Sequence, residues 1–411
     1  MRKLMCGSIA AACLSMAALL GASPPAAPQV GKAELYRRAD LIAKALIRYL
    51  GAGYTYRIDF PRHLVYVYVQ DKSTVQLVIA KTLETYADAE QAMLFHSPLQ
   101  WNVAILIPKL EDFRRIAPQA DTTAGIYFPA AKVLLTSSVS SSLIHEFTHA
   151  LHDNDQALAN QEHPTWLVEG LAVLFQQSRP ALHSTLQIEA GYRVALAKMI
   201  VQEGCALPLA ELLRKDHAQF MQQAEICYPQ AGALLYYLYS LGKLSTFYDT
   251  YKANYGKDRT GELALTTVLG KDLKDIETDW QQWMTDLQIS KPMIGVVAYL
   301  GAGVKPAANG VQVTGFSRWS PAGREGKICV DDVILSLAGQ ATPTPEAFQN
   351  ALLSCPSRSI VEIQLSRYGK KVVIQQLLGA APVKEIDLSH NSEAATALHK
   401  LTSATQPAAA P

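Results

Sequence analysis

One-sided charge is missing from this chain. Lys plus Arg number 37 against 36 Asp plus Glu, a formal net charge of +1 over 411 residues. No broad field therefore exists to gather nucleic acid or an anionic membrane surface. Long apolar runs are missing as well: beyond residue 20 no segment approaches the ~20 uninterrupted apolar residues that cross a bilayer. Cysteine is scarce at six, and two of these, Cys6 and Cys13, fall in the first twenty residues. What remains is enough chain for two or three domains with ample core.

The start of the chain addresses it. Arg2 and Lys3 precede an apolar stretch over 4–20, which meets Gly21-Ala22-Ser23 and a Pro/Ala-rich run. This is the pattern of a secretory signal peptide over 1–22, cleaved near Ala22, with a flexible leader over 23–32. No stop-transfer charges follow it, and Ala10 stands where a lipobox ahead of Cys13 usually carries Leu. A mature protein with no membrane span and no lipid anchor is expected, secreted or in a bacterial periplasm. It keeps Cys205, Cys227, Cys329 and Cys355, which allow three pairings. Cys205–Cys227 and Cys329–Cys355 each stay within one presumed domain and are the favoured disulfides in an oxidising compartment.

Histidine is sparse too, ten in all, yet two stand in His145-Glu146-Phe147-Thr148-His149. Leu143, Ile144, Phe147, Ala150 and Leu151 give this segment the apolar spacing of a helix with one buried face. Four residues apart on a helix, both imidazoles leave the same side, where they can fill two corners of a zinc tetrahedron. Glu146 lies beside them, within reach of a proton on a metal-activated water. Twenty positions after His149, Glu169 sits in Trp166-Leu167-Val168-Glu169-Gly170-Leu171-Ala172, which reads as another helix. A carboxylate there completes a two-His, one-Glu set with an open fourth position.

With these residues the chain resembles the gluzincin metallopeptidases, the thermolysin-like group whose third ligand is a glutamate on the next helix. The resemblance implies one Zn2+ per chain on His145, His149 and Glu169, a peptide or protein substrate, and Glu146 as general base. It also implies an α+β fold: a two-lobed catalytic domain over 33–289, with a small sheet and a helical lobe. The lobes are legible in the pattern. A helix over 34–50 carries Leu41, Ile42, Leu46 and Ile47 as its stripe, and strands follow at 64–69 and 101–107 around a helix over 74–95. Two short strands at 124–128 and 132–136 flank Pro129, and Ser140 to Ser142 supply capping residues for the His145 helix. Residues 187–288 are nearly all helical in pattern, at 207–213, 220–224, 232–241 and 263–287.

In the gluzincin group an edge strand pairs with extended substrate, which makes Gly125, Ile126, Tyr127 and Phe128 the candidates here. Asp153, four residues after His149, stands where thermolysin-like enzymes carry an acid that accepts a ligand histidine's free N–H. In the aminopeptidase branch a tyrosine downstream of the glutamate holds the oxyanion. Tyr228 lies at a comparable distance, with Pro229 fitting a first helical position; a packing role alongside Tyr236, Tyr237 and Tyr239 is the other reading. His152 and His163 are left over, for a metzincin pattern would want glycine at 152 and histidine at 155, where the chain has His152 and Asp155.

From residue 293 strands return, at 296–300, 310–316, 333–337, 360–365 and 371–378, with one helix at 345–354. Ser320-Pro321-Ala322-Gly323 followed by Asp332-Val333-Ile334-Leu335 and Ala338-Gly339 resembles PDZ domains of bacterial proteases, here over 290–380. Asp331 stands where that pattern has glycine. The resemblance implies a carboxylate-binding loop at Ile294, Gly295 and Val296, and a C-terminal peptide as ligand on the strand at 296–300. Residues 381–411 are polar and Ala-rich, a tail expected to be disordered.

Three readings follow: a secreted zinc endopeptidase with a PDZ module, an aminopeptidase of the same clan, and a non-catalytic envelope adaptor. The second lacks a G-x-M-E-N-like segment to anchor a free α-amine. The third has no need for Glu146, since a structural zinc takes four protein ligands.

Overall fold

The computed structural model describes residues 31–70, 73–117, 125–136, 141–180, 186–289, 296–317, 320–356 and 358–382. The expected signal peptide, nearly all of the leader and tail, Ser140, Ile294 and Gly295 lie outside these residues. The architecture is α+β, as two compact units. One gathers the described residues as far as Glu189 with Leu213–Lys215 and Leu234–Leu273; the other holds Ala190–Leu212, Asp216–Ala233 and the described residues from Lys274 onward.

The first unit opens with helix α1 (Lys32–Leu50) on a five-stranded sheet: β1 (Tyr54–Asp59), β2 (Leu64–Val69), β3 (Val103–Ile107), β4 (Gly125–Phe128) and β5 (Val133–Thr136). The order is β1-β2-β3-β5-β4, with β2, β3 and β5 parallel and β1 and β4 antiparallel at the two edges. The parallel middle explains its sequence. Every residue of β3 and β5 is buried, as strands covered on both faces must be. The face of α1 that enters the core is Leu35, Ala39, Ala43 and Leu46, while Leu41 of the expected stripe is exposed. Small alanines let the helix approach β2, where Val65 and Val67 meet them. The expected helix over 74–95 is α2 (Ser73–Glu90) continued by a π-turn, Gln91–Phe95. Strand β1 is not among the expected strands, although Tyr54, Tyr56 and Ile58 alternate with Thr55, Arg57 and Asp59 as an edge strand's residues do.

After α3 (Leu110–Ile116), two helices follow the sheet: α4 (Ser141–Ala159) beside β4 and β5, and α5 (Thr165–Phe175) against α4. Helix α5 is apolar nearly all round and correspondingly buried, from Trp166 to Phe175. Trp166 donates its indole N–H to the Thr260 carbonyl at 2.8 Å. A short hairpin, β6 (Ser178–Pro180) and β7 (Leu186–Ile188), comes next.

Helices α6 (Tyr192–Gln202), α7 (Leu209–Arg214), α8 (His217–Gln222), α9 (Ala224–Ser240), α10 (Leu244–Asn254), α11 (Glu262–Leu269) and α12 (Leu273–Asp286) make the helical stretch. Gly270, at φ 67°, splits the helix expected over 263–287 into α11 and α12. Pro229 lies inside α9 rather than at its start, and its missing N–H withdraws the helical bond to the Glu225 carbonyl.

The second unit ends in a six-stranded antiparallel sheet. Its strands are β9 (Ala302–Ala307), β10 (Gly310–Phe316), β11 (Val333–Leu337), β12 (Gln340–Ala341), β13 (Ile360–Arg367) and β14 (Lys370–Leu377). The order is β14-β13-β11-β10-β9, with β12 on β11. Helices α13 (Pro321–Glu325) and α14 (Pro345–Leu353) begin with Ser320 and Thr344 caps and proline at the first turn. Phe348 and Ala351 of α14 pack on Val311, Ile334 and Leu365. Asp331, in the glycine position of the expected pattern, adopts φ 72°, a backbone aspartate tolerates better than most residues. Beside it, buried Asp332 takes two bonds from the Arg367 guanidinium, at 2.8 and 2.7 Å.

Strand β8 (Val296–Tyr299) stands where the peptide-binding strand is expected. It pairs antiparallel with β15 (Gly379–Pro382), Val296 opposite Pro382, so one of its edges is already filled. The chain leaves β8 through Gly301 at φ 72°, where an added Cβ would stand 1.9 Å from the Ser320 Cβ. Strand β9 was missed because Gly303 and Pro306 weaken its pattern; proline suits an edge strand, and β9 is one. The two expected disulfides are not made: Cys205, Cys227, Cys329 and Cys355 are all thiols, with Cys355 donating to the Ala351 carbonyl.

Candidate metal centre

Helix periodicity alone brings the first two ligands together. His145 and His149 leave α4 one turn apart, their ring centroids 4.8 Å apart and the planes nearly perpendicular. Glu169, held by the buried helix α5, reaches both: its Oε2 lies 3.4 Å from His145 Nε2 and 3.5 Å from His149 Nε2. These are long for hydrogen bonds, and Glu169 Oε2 is buried with no hydrogen-bond partner. They do match a tetrahedral metal site, in which bonds of about 2.1 Å put ligand atoms roughly 3.4 Å apart. All three donor atoms lie within 4.8 Å of one another, the one such cluster of His, Cys, Asp and Glu among the described residues. The side chains are 13%, 16% and 12% exposed, so solvent reaches a site that the core holds still.

The electrostatics agree with a cation's place. Burial opposes charge on Glu169, but the His145 and His149 imidazoles outweigh it and hold the carboxyl well below the usual range. Burial likewise resists a charged His149, and Glu169, then Glu146 and Asp153, draw its pKa above 6.5. One carboxylate therefore faces two imidazoles in a partly dry pocket, a donor set that suits zinc.

Glu146 turns to the sheet. Its Oε2 accepts the backbone N–H of Tyr127 at 2.8 Å, and Gly125 lies so close that an added Cβ would stand 3.5 Å from Glu146 Cγ. Among the described residues strand β4, holding Gly125, Ile126, Tyr127 and Phe128, pairs only with β5 and forms the sheet's edge beside α4.

Asp153 is placed differently from expectation. The bonds it makes are with the Tyr127 hydroxyl and the Lys132 ammonium, both at 2.7 Å, and Lys132 also caps the Trp101 ring at 4.1 Å. The ring nitrogen His145 Nδ1 pairs instead with Gln176 Oε1 at 2.9 Å. Gln176 was not singled out from the sequence; its one signal is a place seven residues, two turns, beyond Glu169. Tyr228 belongs to the second unit. Its ring packs edge-on to Phe220, its hydroxyl meets Met221 Sδ at 3.6 Å, and the Arg193 guanidinium lies over it. Val296 begins β8, while Ile294 and Gly295 of the expected carboxylate loop lie outside the described residues.

No protein-family model and no curated protein matches the chain. Among solved structures it is similar to an aminopeptidase N family protein from Idiomarina loihiensis, with 13% identity and a TM-score of 0.47, covering 80% of this chain and 67% of that one. It is also similar, over about a quarter of its length, to the HtrA-type protease AlgW with decapeptide (22% identity, TM-score 0.21) and to a serine endoprotease from Yersinia pestis (16%, 0.19). The chain spans 36% of the length of each of these two proteases.

Proposed function

We propose that this chain is a zinc-dependent peptidase that cleaves within peptides, its metal held by His145, His149 and Glu169. One observation carries the reading: three donor atoms within 4.8 Å of one another, Glu169 at tetrahedral-edge spacing from both imidazoles, with Glu146 next in sequence to the first of them. A bound zinc supplies Lewis acidity at the position the three ligands leave open.

The chain's own residues do the rest. Glu146 takes the proton of the attacking water and passes it to the departing amine nitrogen. The Tyr127 N–H on its Oε2 fixes the carboxylate's direction and leaves Oε1 to carry that proton. The open edge of β4 pairs with the extended substrate backbone, laying the scissile bond along the row of Glu146 and the ligands. Tyr228 is given no step, because its ring and hydroxyl have partners of their own. A peptide C-terminus is the ligand proposed for the PDZ-like sheet, on the free edge of β9 beside α14.

Zinc content and hydrolysis of an N-terminally blocked peptide library test this. About one zinc per chain and cleavage are expected of the wild type. Glu146→Gln should keep the metal and lose at least about a hundredfold in turnover, while His149→Ala should lose the metal. Wild-type rates in Glu146→Gln would refute the mechanism, and cleavage confined to unblocked peptides would make the protein an aminopeptidase.

A further inference from the structure

We infer that Gln176 is the positioning residue for His145, an inference that rests on the zinc reading above. The hydrogen bond between His145 Nδ1 and Gln176 Oε1 is 2.9 Å long. His145 presents its other nitrogen, Nε2, to Glu169 Oε2, so Nε2 is the atom that must offer a bare lone pair to the metal. A neutral imidazole with a bare Nε2 carries its proton on Nδ1 and donates it. Gln176 supplies the matching acceptor. An amide turned the other way would offer an N–H to Nδ1, push the ring proton onto Nε2 and block the lone pair the metal needs.

The placement is built into α5. Gln176 closes that helix, its N–H bonded to the Ala172 carbonyl at 3.0 Å, directly after Phe175, which is fully buried. Behind it Ser178 Oγ donates to the Phe175 carbonyl, while the Tyr86 hydroxyl ties down the Ser178 carbonyl at 2.7 Å. One rigid helix therefore delivers the third ligand and, two turns on, the group that orients the first. An amide does this without charge, in a pocket where Glu146, Asp153 and Glu169 are already acidic. Metal-ligating histidines are commonly oriented by such a partner, and its loss typically weakens metal binding ~10–100-fold.

The test measures zinc affinity by competition with a chromophoric chelator, alongside the His145 Nδ1–H resonance of the zinc-loaded full-length protein. Gln176→Leu should bind zinc ~10–100-fold more weakly and lose its protected Nδ1–H signal to exchange with water. Gln176→Glu, which keeps an acceptor oxygen, should hold zinc at least as tightly as wild type and keep the signal. Circular dichroism of the metal-free variants guards against misfolding, and Gln176→Glu carries the test should Gln176→Leu fail to fold: a Glu variant with weakened zinc and no protected proton would overturn the inference. So would Gln176→Leu that binds zinc within twofold of wild type and retains the signal, even with peptidase activity intact. A wild-type chain that binds no zinc would overturn the zinc reading and this one together.

Discussion

His152 leaves α4 three residues beyond His149, yet its chemistry is inward. Its Nε2 pairs with His163 Nδ1 at 2.8 Å, His163 Nε2 pairs with Gln161 Oε1 at 3.0 Å, and Phe95 stacks on its ring. Burial, with Lys252 adding to it, pushes the His163 pKa down to about 3. Burial, with His163, His149 and Lys252, holds His152 well below 6.5. Unfolding returns both rings to 6.5, so below that pH the unfolded chain binds protons that the folded chain refuses. Their contribution to stability is complete above about pH 6.5 and is lost as pH falls toward 3, at up to ~1.4 kcal/mol per pH unit for each ring. Glu90 has the opposite sign: burial raises its pKa, so its contribution is full below 4.5 and fades as pH rises. Between pH 6 and pH 4.5 the two histidines outnumber it. The guanidinium-unfolding midpoint should fall across that window, and fall less steeply in His163→Gln; equal slopes would show that His163 does not set it. Of the candidate site, the His145, Glu146 and His149 set was legible because helical spacing is local, and Glu169 because the next helix follows closely. The N–H that holds Glu146 was not legible, since a backbone donor carries no residue identity. Asp153 was misread because its partners, Tyr127 and Lys132, come from a hairpin that spacing along α4 cannot reveal.

At the scale of elements, the parallel strands and the long helices were legible because burial on two faces, or on one helical stripe, writes itself into composition. Pairing is less legible. Residues 296–300 read as a strand and β8 is one, but nothing local announces that Gly379–Pro382, some eighty residues on, fills one of its edges. Strand β9 hid behind Gly303 and Pro306, the residues that fit it to an edge. Its outer side is unpaired among the described residues and α14 packs beside it. A fluorescent peptide with a free C-terminal carboxylate should therefore bind the full chain, and Val304→Pro, which removes a β9 N–H, should weaken that binding at least about fivefold relative to the same change in β8. Equal binding of an amidated peptide would count against the groove.

At the scale of the molecule, the chain does not pass once from one unit to the next. Residues 190–212 and 216–233 belong with the C-terminal sheet, and 234–273 return to the unit that holds His145, His149 and Glu169. Within the second unit α6 packs against β15, and Arg324 of α13 bonds Glu203 at 2.9 Å. A chain cut after residue 289, the boundary expected between the domains, should leave the buried, apolar α6 without the β15 it packs against. Such a fragment should bind a hydrophobic dye and unfold at lower guanidinium than the full chain; a fragment as stable as the whole would show the C-terminal sheet to be an independent addition. The same interleaving bears on synthesis. A polypeptide emerging N-terminus first exposes α6 early but meets β15 only when nearly the whole chain is out. For that interval the newborn protein carries a sticky helix in search of its last strand, an opening for chaperones and for quality-control proteases alike.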